Sequence, residues 1–390
     1  LGGHSLLAIT VIERMRREGM RADVRTLFIA SSLRALAEAI KGSDESWVET
    51  APNLIPAGCE RITPEMLPLI ALTQAEIDGV VAVTPGGAAN IQDIYPLAPL
   101  QQGILFHHLM SAEGDAYILS GLVAFDTRGR LDSFVKALQS VIDRHDILRT
   151  GVVWEGLAEP AQVVWRKAPL GVVDVDLDVK DGEIAGQLLE RFNPRRYRLD
   201  VRQAPLIRGF AAYDAAGDRW LLLCLNHHLT SDHVALEIMT REAQAILMGE
   251  ADRLPEPLPF RNFVAQARMG IGQEGHEAFF REMLGDIDDP TAPFGLTDAQ
   301  GDGSGIEEAQ LELEAGLSRR LREKAWMLGV SAACLCHLAW ALALARVSGR
   351  DDVVFGTVLF GRMQGGAEAE RGLGLFINTL PIRIRVDEEG

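Results

Sequence analysis

A chain of 390 residues is too long for one ordinary core and implies two or three folded units of about 150 residues each, with 47% apolar residues to fill them. The 55 acidic against 38 basic side chains, a net charge of −17, exclude a general nucleic-acid or membrane-surface binder, since both need basic faces. Cys59, Cys224, Cys334 and Cys336 form no CxxC pair with a matching second pair, so neither a zinc knuckle nor a disulfide framework is indicated, and a soluble cytoplasmic protein is expected.

The chain opens on Leu1-Gly2-Gly3-His4-Ser5 with no initiator Met and no secretion signal, as a segment cut from a longer polypeptide would. Ser5 falls at a helix N-cap, and Leu6, Leu7, Ile9, Val11, Ile12 and Met15 recur at helical spacing after it. A second helix at 32–40 completes a small all-helical unit over residues 1–41. Over 42–91, Pro52, Pro56, Pro64, Pro68 and Pro85-Gly86-Gly87 punctuate short apolar pieces around one helix beginning near Thr73, the pattern of an ordered linker. Leu131, Phe134, Val135, Leu138, Val141 and Ile142 then mark an amphipathic helix, followed by a strand at 152–154. Further strands are predicted at 118–125, 162–165, 207–213 and 220–226, and a helix at 234–248. Pro255, Pro257 and Pro259 mark a boundary, beyond which come helices at 263–269, 274–284, 317–328 and 330–347 and a strand at 352–359. The apolar run at 330–345 has 16 residues, short of the ~20 a membrane span needs, and is expected to be a buried core helix. This alternation predicts a mixed α/β fold in two lobes, 92–260 and 261–390.

His227-His228-Leu229-Thr230-Ser231-Asp232 follows the apolar run Leu221-Leu222-Leu223-Cys224-Leu225, so a buried strand delivers two histidines and an aspartate to a loop. An imidazole with an ordinary pKa of about 6.5 accepts or donates a proton near neutral pH, and a nearby carboxylate orients the loop or tunes its charge. On these residues alone, a satisfied histidine pair at a strand end fits as well.

Ser5 by itself is no more than a cap. In the context Leu1-Gly2-Gly3-His4-Ser5-Leu6-Leu7 it resembles the signature of peptidyl carrier domains, whose serine bears a covalent 4′-phosphopantetheine arm. A helix N-terminus favours such a phosphodiester through its unpaired N–H groups and dipole. Only the second part of a carrier bundle is represented.

Five further segments, in order, are similar to the core motifs of condensation domains of nonribosomal peptide synthetases. They are Tyr95-Pro96-Leu97-Ala98-Pro99-Leu100-Gln101-Gln102-Gly103, Arg144-His145-Asp146-Ile147-Leu148-Arg149-Thr150, His227 to Asp232, Phe260-Arg261-Asn262-Phe263, and Gly374-Leu375-Phe376-Ile377-Asn378-Thr379-Leu380-Pro381. The resemblance implies two chloramphenicol-acetyltransferase-like lobes in a V, with the second lobe incomplete here. It also implies amide-bond formation between a carrier-tethered donor thioester and the amine of an aminoacyl acceptor. His228 is then the group at the reacting centre, His227 a structural neighbour, and Asp232 the expected ion-pair partner of Arg149. His107-His108-Leu109-Met110-Ser111-Ala112-Glu113-Gly114-Asp115 further resembles the HH[I/L]xxxxGD element of dual epimerization/condensation domains, which would place His107 and His108 in an L-to-D epimerization of the donor residue.

The family's loop usually ends in Gly where this chain has His233, which adds bulk and a titratable ring. The implied partners are upstream and downstream carrier domains, adenylation domains of the same synthetase and a phosphopantetheinyl transferase, with no metal or redox cofactor. A plain condensation domain, a stand-alone epimerization domain, a non-catalytic docking module of this fold and a CoA-dependent acyltransferase remain as alternatives.

Overall fold

The computed structural model describes residues 50–269, 273–297, 309–360 and 372–386, with a few isolated residues before 50. The fold is mixed α/β and divides into two compact units, one of 48–270 with 371–377, the other of 1–47, 271–370 and 378–390.

In the first unit the chain runs α1 (Gln74–Val83), β1 (Ile91–Pro96), α2 (Pro99–Met110), β2 (Ile118–Phe125), α3 (Arg128–Arg144), β3 (Thr150–Val153) and β4 (Ala161–Trp165). It continues through β5 (Gly171–Asp174), α4 (Ile184–Arg191), β6 (Ile207–Asp214), β7 (Arg219–His227), α5 (His233–Leu247) and α6 (Phe260–Met269). Two sheets result, ordered β1-β4-β3 and β2-β7-β6-β5. Only β5 lies parallel to its neighbour, β6. The run Leu221-Leu222-Leu223 is apolar without alternation because β7 is covered on both faces. Leu222 packs with Leu131 of α3, while Leu221, Leu223 and Leu225 pack with Ile184 and Leu188 of α4. The β2–β7 register sets Ile118 opposite His227, so the start of β2 lies beside the end of β7.

Helix α3 presents Ala137, Leu138, Val141 and Ile142 to Ala235, Ile238, Met239 and Ala243 of α5. Phe260 and Val264 of α6 join this core, which carries the unit past the proline boundary expected near 260, and Leu373 and Phe376 return to it from the far end of the sequence. The segment read as a linker is folded too. Thr73 and Glu76 form a capping box at α1, and Ile77 and Val80 pack with Ile91, Ile94, Val163 and Trp165.

The second unit contains α7 (Gln273–Leu284), α8 (Ala315–Met327), α9 (Ala332–Ser348), β8 (Asp352–Phe360) and, from Asn378 on, the strand β9 (Ile377–Arg385) paired with β8. Helix α9 starts at the Ser331 cap and stops at Gly349 in the left-handed region. It is the helix expected over 330–347, but its surroundings differ from the expected buried core. Among its residues only Ala341, Leu344 and Ala345 are buried, and Leu338, Trp340 and Leu342 are exposed. Ala341, Leu344 and Ala345 pack with Val353, while the other large apolar side chains named above are exposed. Among the described residues no single helix is long and apolar enough to cross a membrane.

If residues 50–90 belong to the folded unit, Ile77→Ala should destabilise it by about 2–5 kcal/mol, the range for truncating a fully buried isoleucine. Urea unfolding of the chain checks this, and a change under about 0.5 kcal/mol, the range of surface substitutions, would return the segment to linker status.

Candidate active site

The loop after β7 is held at nearly every backbone position. His227 N–H donates to Leu206 O at 3.0 Å, and His228 N–H to Tyr117 O at 2.8 Å. Leu229 N–H donates to His227 Nδ1 at 3.1 Å, and Leu229 O accepts from Gln101 Nε2 at 2.8 Å. Gln101 is fully buried at the start of α2, where its Oε1 also receives Ala98 N–H. The half-buried His228 donates from Nδ1 to Ser231 O at 3.0 Å. A carbonyl only accepts, so the His228 proton sits on Nδ1 and Nε2 keeps its lone pair. That lone pair is the proton acceptor the loop offers.

Asp232 is fully buried and is the N-cap of α5, where its Oδ1 accepts from Ala235 N–H at 2.8 Å. Its Oδ2 accepts from Phe376 N–H at 3.2 Å, and its own N–H donates to Gly374 O at 3.3 Å. The expected pair with Arg149 does not form. Arg149 donates to Gln92 Oε1 at 2.9 Å and to Trp165 O, and the opposing charge that acts on it most strongly is Asp146. Two of the donors to this carboxylate are backbone N–H groups, which a cap position and a returning strand aim at it. His233 is the first residue of α5, exposed, and it needs no positive φ, so the helix start sets no demand for glycine there.

His107 and His108 separate in role. His107 is exposed on α2, with its ring 6.0 Å from that of Tyr117. His108 is buried and places Nδ1 2.5 Å from Asp115 Oδ2, and the same oxygen lies 2.9 Å from His227 Nε2. Asp115 Oδ1 accepts from Tyr117 N–H at 2.9 Å. Because His227 Nδ1 already accepts from Leu229, its proton is on Nε2 and points at Asp115. Burial pushes His227 below its ordinary value, against the raising effect of the Asp115 bond, so the ring is neutral. For Asp115 burial acts to raise the pKa, but bonds from His108 and His227 outweigh it and hold the carboxyl well below the usual carboxylate range.

Sequence reading missed the residues that seat this turn. Asp115 N–H donates to Pro194 O at 2.7 Å, and Gly114, at φ +65°, is so close to Arg195 O that a Cβ would come within 2.0 Å of it. Only glycine fits. Arg198 donates to Gly114 O at 3.2 Å, to His108 O at 2.6 Å, to Ser111 O, and to His108 Nε2 at 3.1 Å. The arginine-rich run at 195–198 carried no spacing that could have pointed to 107–115.

His108, Asp115 and His227 also form a donor set of the kind that binds cations. Their facing atoms touch at hydrogen-bond distance, shorter than the about 3.3 Å between two ligands of one tetrahedral zinc, and each imidazole N–H is already spent on the carboxylate. Hydrogen bonding accounts for all three. Ser5 lies outside the described residues. By chemistry it fits the phosphodiester, since its hydroxyl is the linking oxygen such a group needs.

Residues 91–390 match the condensation-domain family and residues 1–40 the phosphopantetheine attachment-site family. The chain belongs to the condensation-domain family, joined to a carrier region whose cofactor is 4′-phosphopantetheine. It is 52% identical over 387 residues, 99% of its length, to malpibaldin synthetase of Mortierella alpina, and spans 7% of that protein. To bacitracin synthase 3 of Bacillus licheniformis it is 30% identical over 308 residues, 77% of this chain and 5% of that one. The fold is shared with the condensation domain from Monacolin K polyketide synthase MokA, at a TM-score of 0.57 and 21% identity over 76% of this chain and 68% of that chain. The first condensation domain of the CDA synthetase gives 0.55 and 17% over 76% and 72%.

The His227 shift sets a pH dependence. A histidine held below its ordinary 6.5 stabilises the fold while neutral, so its contribution is complete above about pH 6.5 and is lost as the pH falls. Thermal midpoints of the chain should be level from pH 8 to 6.5 and decline toward pH 5. In His227→Gln, which supplies the same donor and acceptor without titrating, the decline should be shallower. Equal slopes in the two proteins would detach the acid loss from His227.

Proposed function

We propose that this chain is the condensation part of a nonribosomal peptide synthetase module, with the 48–270 unit as its first chloramphenicol-acetyltransferase-like lobe. It forms an amide between a donor acyl thioester and the amine of a second, carrier-bound aminoacyl group. When bound on Ser5, 4′-phosphopantetheine supplies the thiol that holds the donor as a thioester. Sulfur delocalises poorly into the carbonyl, which leaves that carbonyl more electrophilic than an ester's.

The observation that carries the reading is the fixed His228 ring, with Nδ1–H committed to Ser231 O and Nε2 left as acceptor. Nε2 takes a proton from the attacking ammonium or places the amine by hydrogen bond. The new C–N bond forms as the C–S bond breaks, and the thiolate leaves with the displaced proton. Asp232 acts at a distance by starting α5 and tying the loop to Phe376. Carrier domains on both sides, adenylation domains and a phosphopantetheinyl transferase are the partners this reaction needs.

In the intact synthetase, His228→Ala should lower amide formation by about 10²–10⁴-fold, the usual contribution of a positioned acid–base group, with an unchanged thermal midpoint. Product within two-fold of the parent would remove His228 from the reacting centre.

A second reading, epimerization of the donor before condensation, draws on one feature. The 107–115 segment is bonded to the reacting loop through Asp115 and His227, while His107 keeps an exposed ring. Exchange at the α-carbon has to pass through its deprotonated form. An L-donor processed in D2O should therefore give product with deuterium and D configuration at that residue, and His107→Ala should suppress the label more than it slows condensation of a supplied D-donor. Unlabelled product with an L-donor, formed at the parent rate, leaves plain condensation.

A further inference from the structure

We propose that Arg198 is a positioning residue for the reacting loop: by donating to His108 Nε2 it keeps that atom an acceptor and the His108 proton on Nδ1, directed at the Asp115 oxygen that His227 Nε2–H also reaches. This rests on reading 227–232 as the reacting loop.

The chain of contacts is continuous. Arg198 Nη2 lies 3.1 Å from His108 Nε2, His108 Nδ1 2.5 Å from Asp115 Oδ2, that oxygen 2.9 Å from His227 Nε2, and His227 Nδ1 3.1 Å from Leu229 N. At each end stands a group that can only donate, a guanidinium and a backbone N–H. In the middle stands a carboxylate that accepts twice. With donors fixed at both ends, each imidazole has one tautomer that satisfies every contact. The carboxylate is the acceptor that both rings share.

The same guanidinium fixes the ring in place as well as in protonation. It donates to the carbonyls of His108, Ser111 and Gly114, so it caps the C-terminal end of α2, where a cation is favoured, and closes the turn into Asp115. The charged or titratable groups facing the His108–His227 pair are Asp115, Arg198, His228 and Asp200, the last held by Arg202. If Arg198 is removed, His108 Nε2 faces acceptor carbonyls with no donor. The ring then gains a second proton there, and a new cation competes with His227 for Asp115.

Long-range ¹H–¹⁵N spectra of the ¹⁵N-histidine-labelled chain read these protons directly. The parent should show His108 as the neutral Nδ1–H form and His227 as the neutral Nε2–H form at both pH 8 and pH 6. Arg198→Met should give a His108 that gains a proton between those values. In the intact synthetase it should slow amide formation at saturating donor by about ten-fold, the lower end of what partners orienting a working histidine contribute, with KM nearly unchanged. Arg198→Lys keeps a cation and a donor and should retain both tautomers and most of the rate.

A His108 that keeps its Nδ1–H form and its pH response in Arg198→Met overturns the proposal. If that variant does not fold, Arg198→Lys decides, because a His108 that titrates in it overturns the proposal too. The spectra do not depend on product, so a chain that makes no amide would overturn the proposed function and leave the proton assignment to its own result.

Discussion

Taking the Asp115 carboxylate out of water costs several kcal/mol unless donors replace the solvent, and around this residue they do: His108 and His227 on one oxygen, Tyr117 N–H on the other. Much of the neighbourhood follows from that requirement. The two histidines must turn an N–H toward the carboxylate. The turn before Asp115 must contain a glycine, because the backbone of Arg195 occupies the place of a side chain. His227, once turned, offers Nδ1 to Leu229 N–H and so fixes the first step of the loop on which His228 stands.

The motifs that lie far apart in the sequence bond to the loop or to one another. Gln101 reaches Leu229 O from the first of them, Asp146 in the second accepts the N–H of Phe260 in the fourth, and Gly374 and Phe376 in the last bond Asp232. Each contact satisfies a backbone group that would otherwise be left unpaired, which is a stricter demand than apolar packing.

Elements with a strong period were legible from sequence: β2 at Ile118–Phe125 and helix α3 follow directly from where apolar residues recur. So was the delivery of His228 by a buried strand. Pairing over distance was not. Arg149 and Asp232 are complementary in charge, but the arginine turned to Gln92 and Trp165. The link from Asp115 to His227 crosses 112 residues and leaves no periodic trace. Helix α9 marks the opposite limit, since apolar composition states that a surface wants cover without saying which neighbour provides it.

The close approach of Gly114 to Arg195 makes the HH…GD segment part of a discontinuous unit. Moving 107–115 into another domain of this family would carry over the letters of the element without the Pro194–Arg198 strap that accepts its turn, and a chimera built that way would seat the segment against the wrong backbone. Portability of this element therefore belongs to two stretches of chain, and recombination between them separates what the fold treats as one part.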